Sequence, residues 1–205
     1  MKLTDAHARL RELGAPTFTT NDAAALLRIE GSHATKVLCR LAETGHVVRL
    51  ARGRWALGDE LDRFALPEAL TAPTPSYVSL FSALHHHGLI EQIPAAVYAV
   101  TLAPSRDVRT PLGTVSLHRV APSFFFGFEQ RGTGPKVAVA EKGLVDFLYL
   151  GPARSRRFRA LPELELPRSF SGRRARETAR RIESRSRRSY VLSKLDRILE
   201  NAGKR

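Results

Sequence analysis

Residues 20–57, TNDAAALLRIEGSHATKVLCRLAETGHVVRLARGRWAL, decide the fold of the N-terminal part of the chain. Thr20 or Asn21 is suited to cap a short first helix, and Ser32 is suited to cap a longer second helix that ends at Gly45. Two helices joined by a tight turn, the second longer than the first, are typical of a helix-turn-helix.

The residues that follow the second helix predict a β-hairpin. Residues 46–50 form a strand-like run, residues 51–53 form a turn, and residues 54–57 return as a second strand. A hairpin directly after the second helix is the wing of a winged helix, so the sequence predicts a winged helix-turn-helix domain.

In this arrangement the second helix enters the major groove of DNA and its first residues meet the base edges. Side chains opposite the apolar face of that helix are expected to point outward. The start of the first helix and the hairpin are placed to reach phosphates or the minor groove. The expected DNA-binding residues are Thr19, Thr20, Asn21, Ser32, His33, Thr35, Lys36, Arg40, Arg49, Arg52 and Arg54.

A winged helix can also serve as a protein-interaction module that never touches DNA. Residues 1–72 carry 10 basic and 9 acidic side chains, a net charge of only +1. Residues 21–58 carry 6 basic and 3 acidic side chains, a net charge of +3. The charge is therefore concentrated on the helices and hairpin, which favours DNA without excluding a protein partner.

Composition limits the other classes of protein. The 205 residues contain one cysteine, which excludes an internal disulfide framework and a cysteine-based zinc finger. No apolar run approaches the roughly 20 residues that a membrane helix needs, and the N-terminus lacks the apolar stretch of a signal peptide. We expect a soluble, cytoplasmic protein without a membrane partner.

The pattern of elements predicts an α+β protein in three parts. These are a winged helix-turn-helix domain over 1–70, a small mixed α+β domain over 71–151 and an arginine-rich helical segment over 152–205. In the middle part we expect a helix over 76–90, strands over 95–102, 114–120 and 123–130, a further strand at 135–140 and a buried helix over 143–150.

Nearly all of the net charge of +13 lies in the last part, where residues 152–205 carry 17 basic and 6 acidic side chains. A single basic helix is expected over 172–188, and on it neighbouring like charges repel unless an anionic partner offsets them. The partner is either a nucleic acid or an acidic protein, and a solvated, partly disordered helix is the alternative. The arginines concerned are Arg173, Arg174, Arg176, Arg180, Arg181, Arg185, Arg187 and Arg188.

Signals of an enzyme are absent from the sequence. His85, His86 and His87 are consecutive, so on a helix they point about 100° apart and cannot converge on one metal ion. Glu141 and Asp146 have no evident partner acid, and no phosphate-binding or nucleophile motif is present. We expect no catalytic activity, no cofactor and no metal site.

Three stretches of the middle part together resemble the AbiEi family, the antitoxins of AbiE abortive-infection systems. They are PSYVSLFSALHHHGLIEQIPAAVYAVT, RTPLGTVSLHRVAPSFFFGF and VAVAEKGLVDFLYL, and the resemblance extends over about residues 1–150. Gly143 stands where the family commonly has alanine. The matching residues are Tyr77, Ser79, Ser82, Ala83, Leu84, His87, Gly88, Leu89, Thr110, Gly113, Phe126, Gly127, Glu141, Lys142, Leu144, Asp146 and Leu148.

The resemblance implies two roles. The winged helix would bind inverted repeats in operator DNA of its own promoter, where copies of the chain can associate, and repress the operon. The remainder would neutralise a cognate nucleotidyltransferase-like toxin. The arginine-rich segment has less family pattern, and it would either cover an acidic toxin surface or grip operator DNA.

Two rivals differ from this interpretation in class. One is the protein-interaction module without DNA binding. The other is a nuclease-like protein that holds nucleic acid with its basic segment, against which the missing carboxylate cluster argues.

Overall fold

The computed structural model describes residues 2–58, 61–152 and 162–202, and it has the mixed α+β architecture that the sequence predicts. Its first part contains three helices and a small antiparallel sheet with strand order β1-β3-β2. The elements are α1 (Leu3–Arg11), β1 (Thr17–Thr19), α2 (Thr20–Leu27), α3 (Gly31–Glu43), β2 (Val47–Ala51) and β3 (Arg54–Leu57).

One apolar core holds these elements together. Leu10 from α1 and Leu38 and Leu41 from α3 are fully buried in it. Phe18 lies opposite Trp55 where β1 pairs with β3. The sequence predicts no strand at β1, because three residues carry too short a pattern and their extended form comes from the distant partner strand.

The helix caps differ from the predicted ones by one or two residues. Thr19 caps α2: its hydroxyl accepts from the Asp22 N–H at 3.1 Å, and the Asp22 carboxylate accepts from the Thr19 N–H at 2.7 Å. Thr20 and Asn21 are followed three positions on by alanines, so neither can form this reciprocal capping box. Ser32 does not cap α3 either, because the helix already begins at Gly31.

The middle part is built on a six-stranded sheet of order β6-β7-β5-β4-β9-β8. β5 and β7 pair in parallel, as do β4 and β9, and the other pairs are antiparallel. Its elements are α4 (Leu66–Thr71), β4 (Ser76–Val78), α5 (Leu80–His86), β5 (Ala96–Thr101), β6 (Arg106–Thr110), β7 (Gly113–Arg119), β8 (Phe128–Gln130), β9 (Lys136–Ala138) and α6 (Ala140–Leu150).

Two predictions for this part were wrong. The helix expected over 76–90 is interrupted, because Ser79 is extended and Leu80 has a positive φ of 56°. Residues 76–78 become β4, which lies inside the sheet between β5 and β9. The strand expected over 123–130 is reduced to β8, preceded by a short 3-10 turn at Pro122–Phe124. The other predicted strands and the helix near 143–150 are present, with β6 as an additional strand.

The two faces of the six-stranded sheet belong to different cores. Alternate residues of a strand point to opposite faces, and along β5 Tyr98 and Val100 face one core whereas Val97 and Ala99 face the other. The first core includes α5 and α6. The second includes α4 together with Leu50 and Ala56 of the β2–β3 hairpin, so this face attaches the N-terminal part to the sheet.

The arginine-rich segment forms two helices, α7 (Gly172–Arg180) and α8 (Arg185–Ala202), rather than one continuous helix over 172–188. The chain leaves the helix at 181–184 and buries Ile182. Ala175, Ala179, Val191 and Leu195 are fully buried with the side chains of α5 and α6. The boundary expected at 151/152 therefore runs through a shared core, on the sheet face opposite the N-terminal part.

Because α8 shares this core, Leu195→Ala is expected to lower the free energy of unfolding by about 2–5 kcal/mol, the usual result of a large-to-small change in a core. Chemical denaturation followed by both circular dichroism and Trp55 fluorescence measures it. Ser193→Ala, exposed on the same helix, is the control and should change little. If Leu195→Ala has as small an effect as the control, α8 does not belong to the core.

Candidate nucleic-acid interface

The face of α3 that points away from the core carries the predicted DNA-contacting side chains. Ala34, Leu38 and Leu41 recur at helical spacing and are fully buried, which turns the opposite face outward. The exposed residues of that face are Ser32, His33, Thr35, Lys36 and Arg40. The Thr35 hydroxyl donates to the Gly31 carbonyl at 2.9 Å, and Lys36 and Arg40 lie one helical turn apart.

The start of α2 is occupied by contacts within the protein, contrary to the phosphate-binding role expected for Thr19 and Thr20. The capping box engages Thr19 with Asp22, whose carboxylate adds negative charge where a phosphate would bind. The Thr20 N–H donates to the Gly53 carbonyl at 3.0 Å, and its hydroxyl accepts from Trp55 Nε1 at 2.9 Å. These contacts fix the hairpin tip against α2, and Asn21 is exposed beside them.

The three arginines of the hairpin separate into two groups. Arg49 and Arg52 are exposed, and the Arg49 guanidinium lies 5.7 Å from the centre of the Trp55 ring. Arg54 is half-buried, and its guanidinium donates to the carbonyl of Ala69 at 2.8 Å and to that of Ala72. Arg54 therefore fastens the hairpin to the end of α4, and its predicted place on the DNA surface is not supported by the geometry.

Half of the eight predicted tail arginines bind groups of the protein itself. The acceptors are two carboxylates and three carbonyl oxygens, of which the Ser169 carbonyl accepts from Arg174 at 3.1 Å. Arg174 donates to Glu141 at 2.8 Å, Arg176 to Asp196 at 2.8 Å, Arg187 to the Tyr149 carbonyl at 2.6 Å, and Arg188 to the Ile182 carbonyl at 3.0 Å. These four side chains fasten α7 and α8 to each other and to α6.

The remaining four arginines are exposed, and we refer to them as the tail patch: Arg173, Arg180, Arg181 and Arg185. Arg173 lies 3.9 Å from Glu177, and the Arg181 guanidinium lies 3.4 Å from the centre of the Phe126 ring. Arg173 lies at the start of α7, Arg180 at its end, Arg181 in the turn that follows it and Arg185 at the start of α8.

A buried polar network lies at the centre of the middle part, and the sequence analysis missed it. Asp146, completely buried, accepts from Lys142 Nζ at 2.5 Å, from the Ser79 hydroxyl at 2.7 Å and from the Tyr77 hydroxyl at 3.0 Å. Lys142 Nζ also donates to the Phe124 carbonyl at 3.0 Å. The spacing of Lys142 and Asp146, four residues apart on one helix, was the signal available in the sequence.

Burial sets the direction of each pKa in this network. It lowers the pKa of Lys142 and raises that of Asp146, and in each case the opposite charge of the partner offsets part of the effect. Burial and the Asp146 carboxylate both raise the pKa of Tyr77 well above its ordinary value. The phenol therefore stays protonated, and its O–H donates a hydrogen bond to Asp146. The network is sealed from solvent and acts as a structural centre.

Glu141, in the first turn of α6, binds α7 to α6. Its carboxylate accepts from the Ser171 N–H at 2.8 Å and from the Arg174 guanidinium at 2.8 and 3.0 Å. Burial raises the pKa of Glu141, but the bonds from Ser171 and Arg174 outweigh it, and the pKa lies below its ordinary value. Ionised Glu141 therefore stabilises the docked tail.

Two further observations concern the described ranges. Within residues 2–58, 61–152 and 162–202, no group of three or more His, Cys, Asp or Glu side chains is arranged to hold a metal ion. No helix in these ranges combines the length and the apolar character required to cross a bilayer.

Comparison with known proteins adds no relative: no family model matches the chain, and no curated protein matches it.

Glu141→Gln is expected to lower the free energy of unfolding at neutral pH by about 1–3 kcal/mol, because a partly buried charge-assisted contact is lost. Since the pKa of Glu141 is lowered in the folded state, its stabilisation is present above the ordinary carboxyl pKa and is lost as the pH falls through the folded value. The difference between the two proteins should therefore be largest at neutral pH and disappear in acid. Denaturation curves across this pH range measure it.

Glu177→Gln is the matched control, since Glu177 lies 3.9 Å from exposed Arg173 and such surface pairs contribute little. A pH-independent difference between wild type and Glu141→Gln would show that the ionised carboxylate is not the source of the stabilisation.

Proposed function

We propose that this chain is a DNA-binding transcriptional autorepressor and antitoxin without enzymatic activity. In this proposal α2, α3 and the β2–β3 hairpin form a winged helix-turn-helix. The proposal of DNA binding rests on one observation, the exposed outer face of α3. That face presents Lys36 and Arg40 together with short polar side chains, and nothing in the described part of the chain packs over it.

The geometry supports a specific docking of α3 on duplex DNA. An α-helix fits the major groove, and there Lys36 and Arg40 reach guanine edges or phosphates. Ser32, His33 and Thr35 lie toward the N-terminal end of the helix, where recognition helices meet bases. Arg49 and Arg52 of the hairpin supply flanking phosphate or minor-groove contacts, whereas Thr19, Thr20 and Arg54 hold the hairpin and helices in place.

The second half of the proposal concerns the tail patch. It lies on α7, α8 and the turn between them, and these helices pack on the sheet face opposite the N-terminal part. Arginines in this position favour a second, acidic partner. The resemblance to the AbiEi family names such a partner as a nucleotidyltransferase-like toxin, and the tail patch is the surface that we assign to it.

For operator binding, Lys36→Ala and Arg40→Ala are each expected to reduce affinity about tenfold, because a lost base-edge contact costs about 1–3 kcal/mol. Loss of a phosphate contact should also reduce the slope of the logarithm of the binding constant against the logarithm of the salt concentration by about one. Gel-shift titrations on the upstream promoter at several salt concentrations measure both quantities. Unchanged affinity in both variants would remove α3 as the recognition helix.

Arg131→Ala is the matched control for this experiment, since Arg131 is an exposed arginine on the loop between β8 and β9. It removes the same charge from another surface, so operator affinity should stay within about twofold of wild type. An equal loss in all three variants would indicate binding through net charge alone.

For the toxin, Arg180→Glu combined with Arg185→Glu is expected to abolish neutralisation while leaving operator affinity intact. Co-expression with the product of the neighbouring reading frame, scored by growth and by co-purification, measures it. Lys36→Ala should show the reverse pattern. Full neutralisation by the double variant would exclude the tail patch as the toxin surface.

A further inference from the structure

The C-terminal end of α4 is held by two arginine side chains that come from different parts of the chain. The last carbonyl groups of a helix have no partner within the helix, and this end carries a partial negative charge. The Arg54 guanidinium, from the β2–β3 hairpin, donates to the Ala69 carbonyl at 2.8 Å and to the Ala72 carbonyl. The Arg106 guanidinium, from β6, donates to the Leu70 carbonyl at 2.9 Å. The hairpin and the sheet therefore meet at one helix end.

The alternation of side chains along β6 explains why Arg106 faces α4. Val108 packs against the core that contains Leu70 of α4 and Leu50 of the hairpin. Arg106, two residues before Val108, points to the same face of the sheet, whereas Arg109 points to the opposite face. Apolar packing is not directional, so the bonds from the two arginines add a fixed orientation to an interface that the core only holds together.

Arg54 lies next to the part of the hairpin that we assign to DNA. Arg52 is exposed at the hairpin tip, two residues before Arg54. The tip is also held by α2, since the Thr20 N–H donates to the Gly53 carbonyl at 3.0 Å. Two contacts therefore fix the tip, one to α2 through Gly53 and one to α4 through Arg54, and Arg106 fixes α4 in turn.

We propose that Arg106 is a positioning residue for DNA binding, although it lies in the six-stranded sheet and outside the helices and hairpin that meet DNA. Arg106 fixes the end of α4, the end of α4 fixes Arg54, and Arg54 sets the position of Arg52 relative to α3. A side chain that is held in its bound geometry before binding loses less entropy on binding. This inference rests on the proposed binding of DNA, and it gives the middle part of the chain a share in that binding.

The first test follows the hairpin without DNA. The Thr20 N–H exchanges with solvent when its bond to the Gly53 carbonyl opens. Arg106→Ala is expected to raise the hydrogen-exchange rate of the Thr20 amide at least about fivefold, as measured by NMR, because the loss of a charge-assisted bond weakens the support of the tip. The Leu38 amide inside α3 is the internal reference and should keep its rate. An unchanged rate at Thr20 would overturn the proposal.

The second test is a double-mutant cycle on operator affinity, measured by gel-shift titration. Arg106→Ala alone is expected to weaken operator binding about fivefold. Because Arg106 acts through Arg52, adding Arg106→Ala to Arg52→Ala should weaken binding by less than about twofold more. Added to Lys36→Ala, which changes a separate contact on α3, it should again weaken binding about fivefold. Arg106→Lys keeps a charged donor for the Leu70 carbonyl and should bind within about twofold of wild type.

Arg109→Ala is the control for net charge. Arg109 is exposed on the same strand and faces away from α4, so its loss should leave operator affinity within about twofold of wild type. An equal loss of affinity in Arg106→Ala and Arg109→Ala would refute the positioning role. Full additivity of Arg106→Ala with Arg52→Ala would also refute it, because Arg106 would then contact DNA itself.

The same titrations separate this inference from the proposed function. If Lys36→Ala and Arg40→Ala lose affinity and Arg106→Ala does not, the positioning role fails and DNA binding through α3 stands. If none of the three variants loses affinity, both fail.

Discussion

The middle of the fold depends on one buried charge, the ammonium group of Lys142. A charge without access to water is tolerated only with a partner of opposite sign and with its hydrogen bonds made. Asp146 supplies the opposite charge, the Phe124 carbonyl accepts a bond, and the Phe124 ring lies 3.5 Å from Nζ. β4, α6 and the turn at residues 122–124 must therefore come together in one arrangement, and a slip of any of them would leave Lys142 or Asp146 uncompensated.

This centre also explains features that are far from it in the sequence. A Cβ atom at Gly127 would lie 3.0 Å from Lys142 Cγ, and Gly127 has a φ of +76°, so glycine is required there on both counts. At Gly143 an added Cβ would come within 3.1 Å of the Ala83 side chain. Here α5 approaches α6 closely, and the smaller residue permits it.

The sequence predicts best what local patterns determine. α3 has an apolar stripe, the hairpin has a turn at Arg52-Gly53, and both were placed within two residues. β4 was predicted as helix because Val78, Phe81 and Leu84 have helical spacing; its extended form comes from β5 and β9, which lie far along the chain. The same limit applies to the interface. The exposed face of α3 follows from periodicity, whereas the partners of Thr20 and Arg54 lie 15 to 35 residues away.

The tail shows why a run of like charges does not by itself define a binding surface. Arg174 and Arg176 neutralise Glu141 and Asp196, and Arg187 and Arg188 cap carbonyl oxygens, so these four arginines act in folding. Each such contact helps to fix α7 or α8, and the remaining arginines of this region are exposed. The repulsion that a continuous basic helix would suffer is thus relieved in part within the chain, by acidic side chains and by the turn at Ile182. What is left for a partner is a smaller cationic surface held on a rigid support, and a rigid surface loses less conformational entropy on binding than a disordered basic segment does.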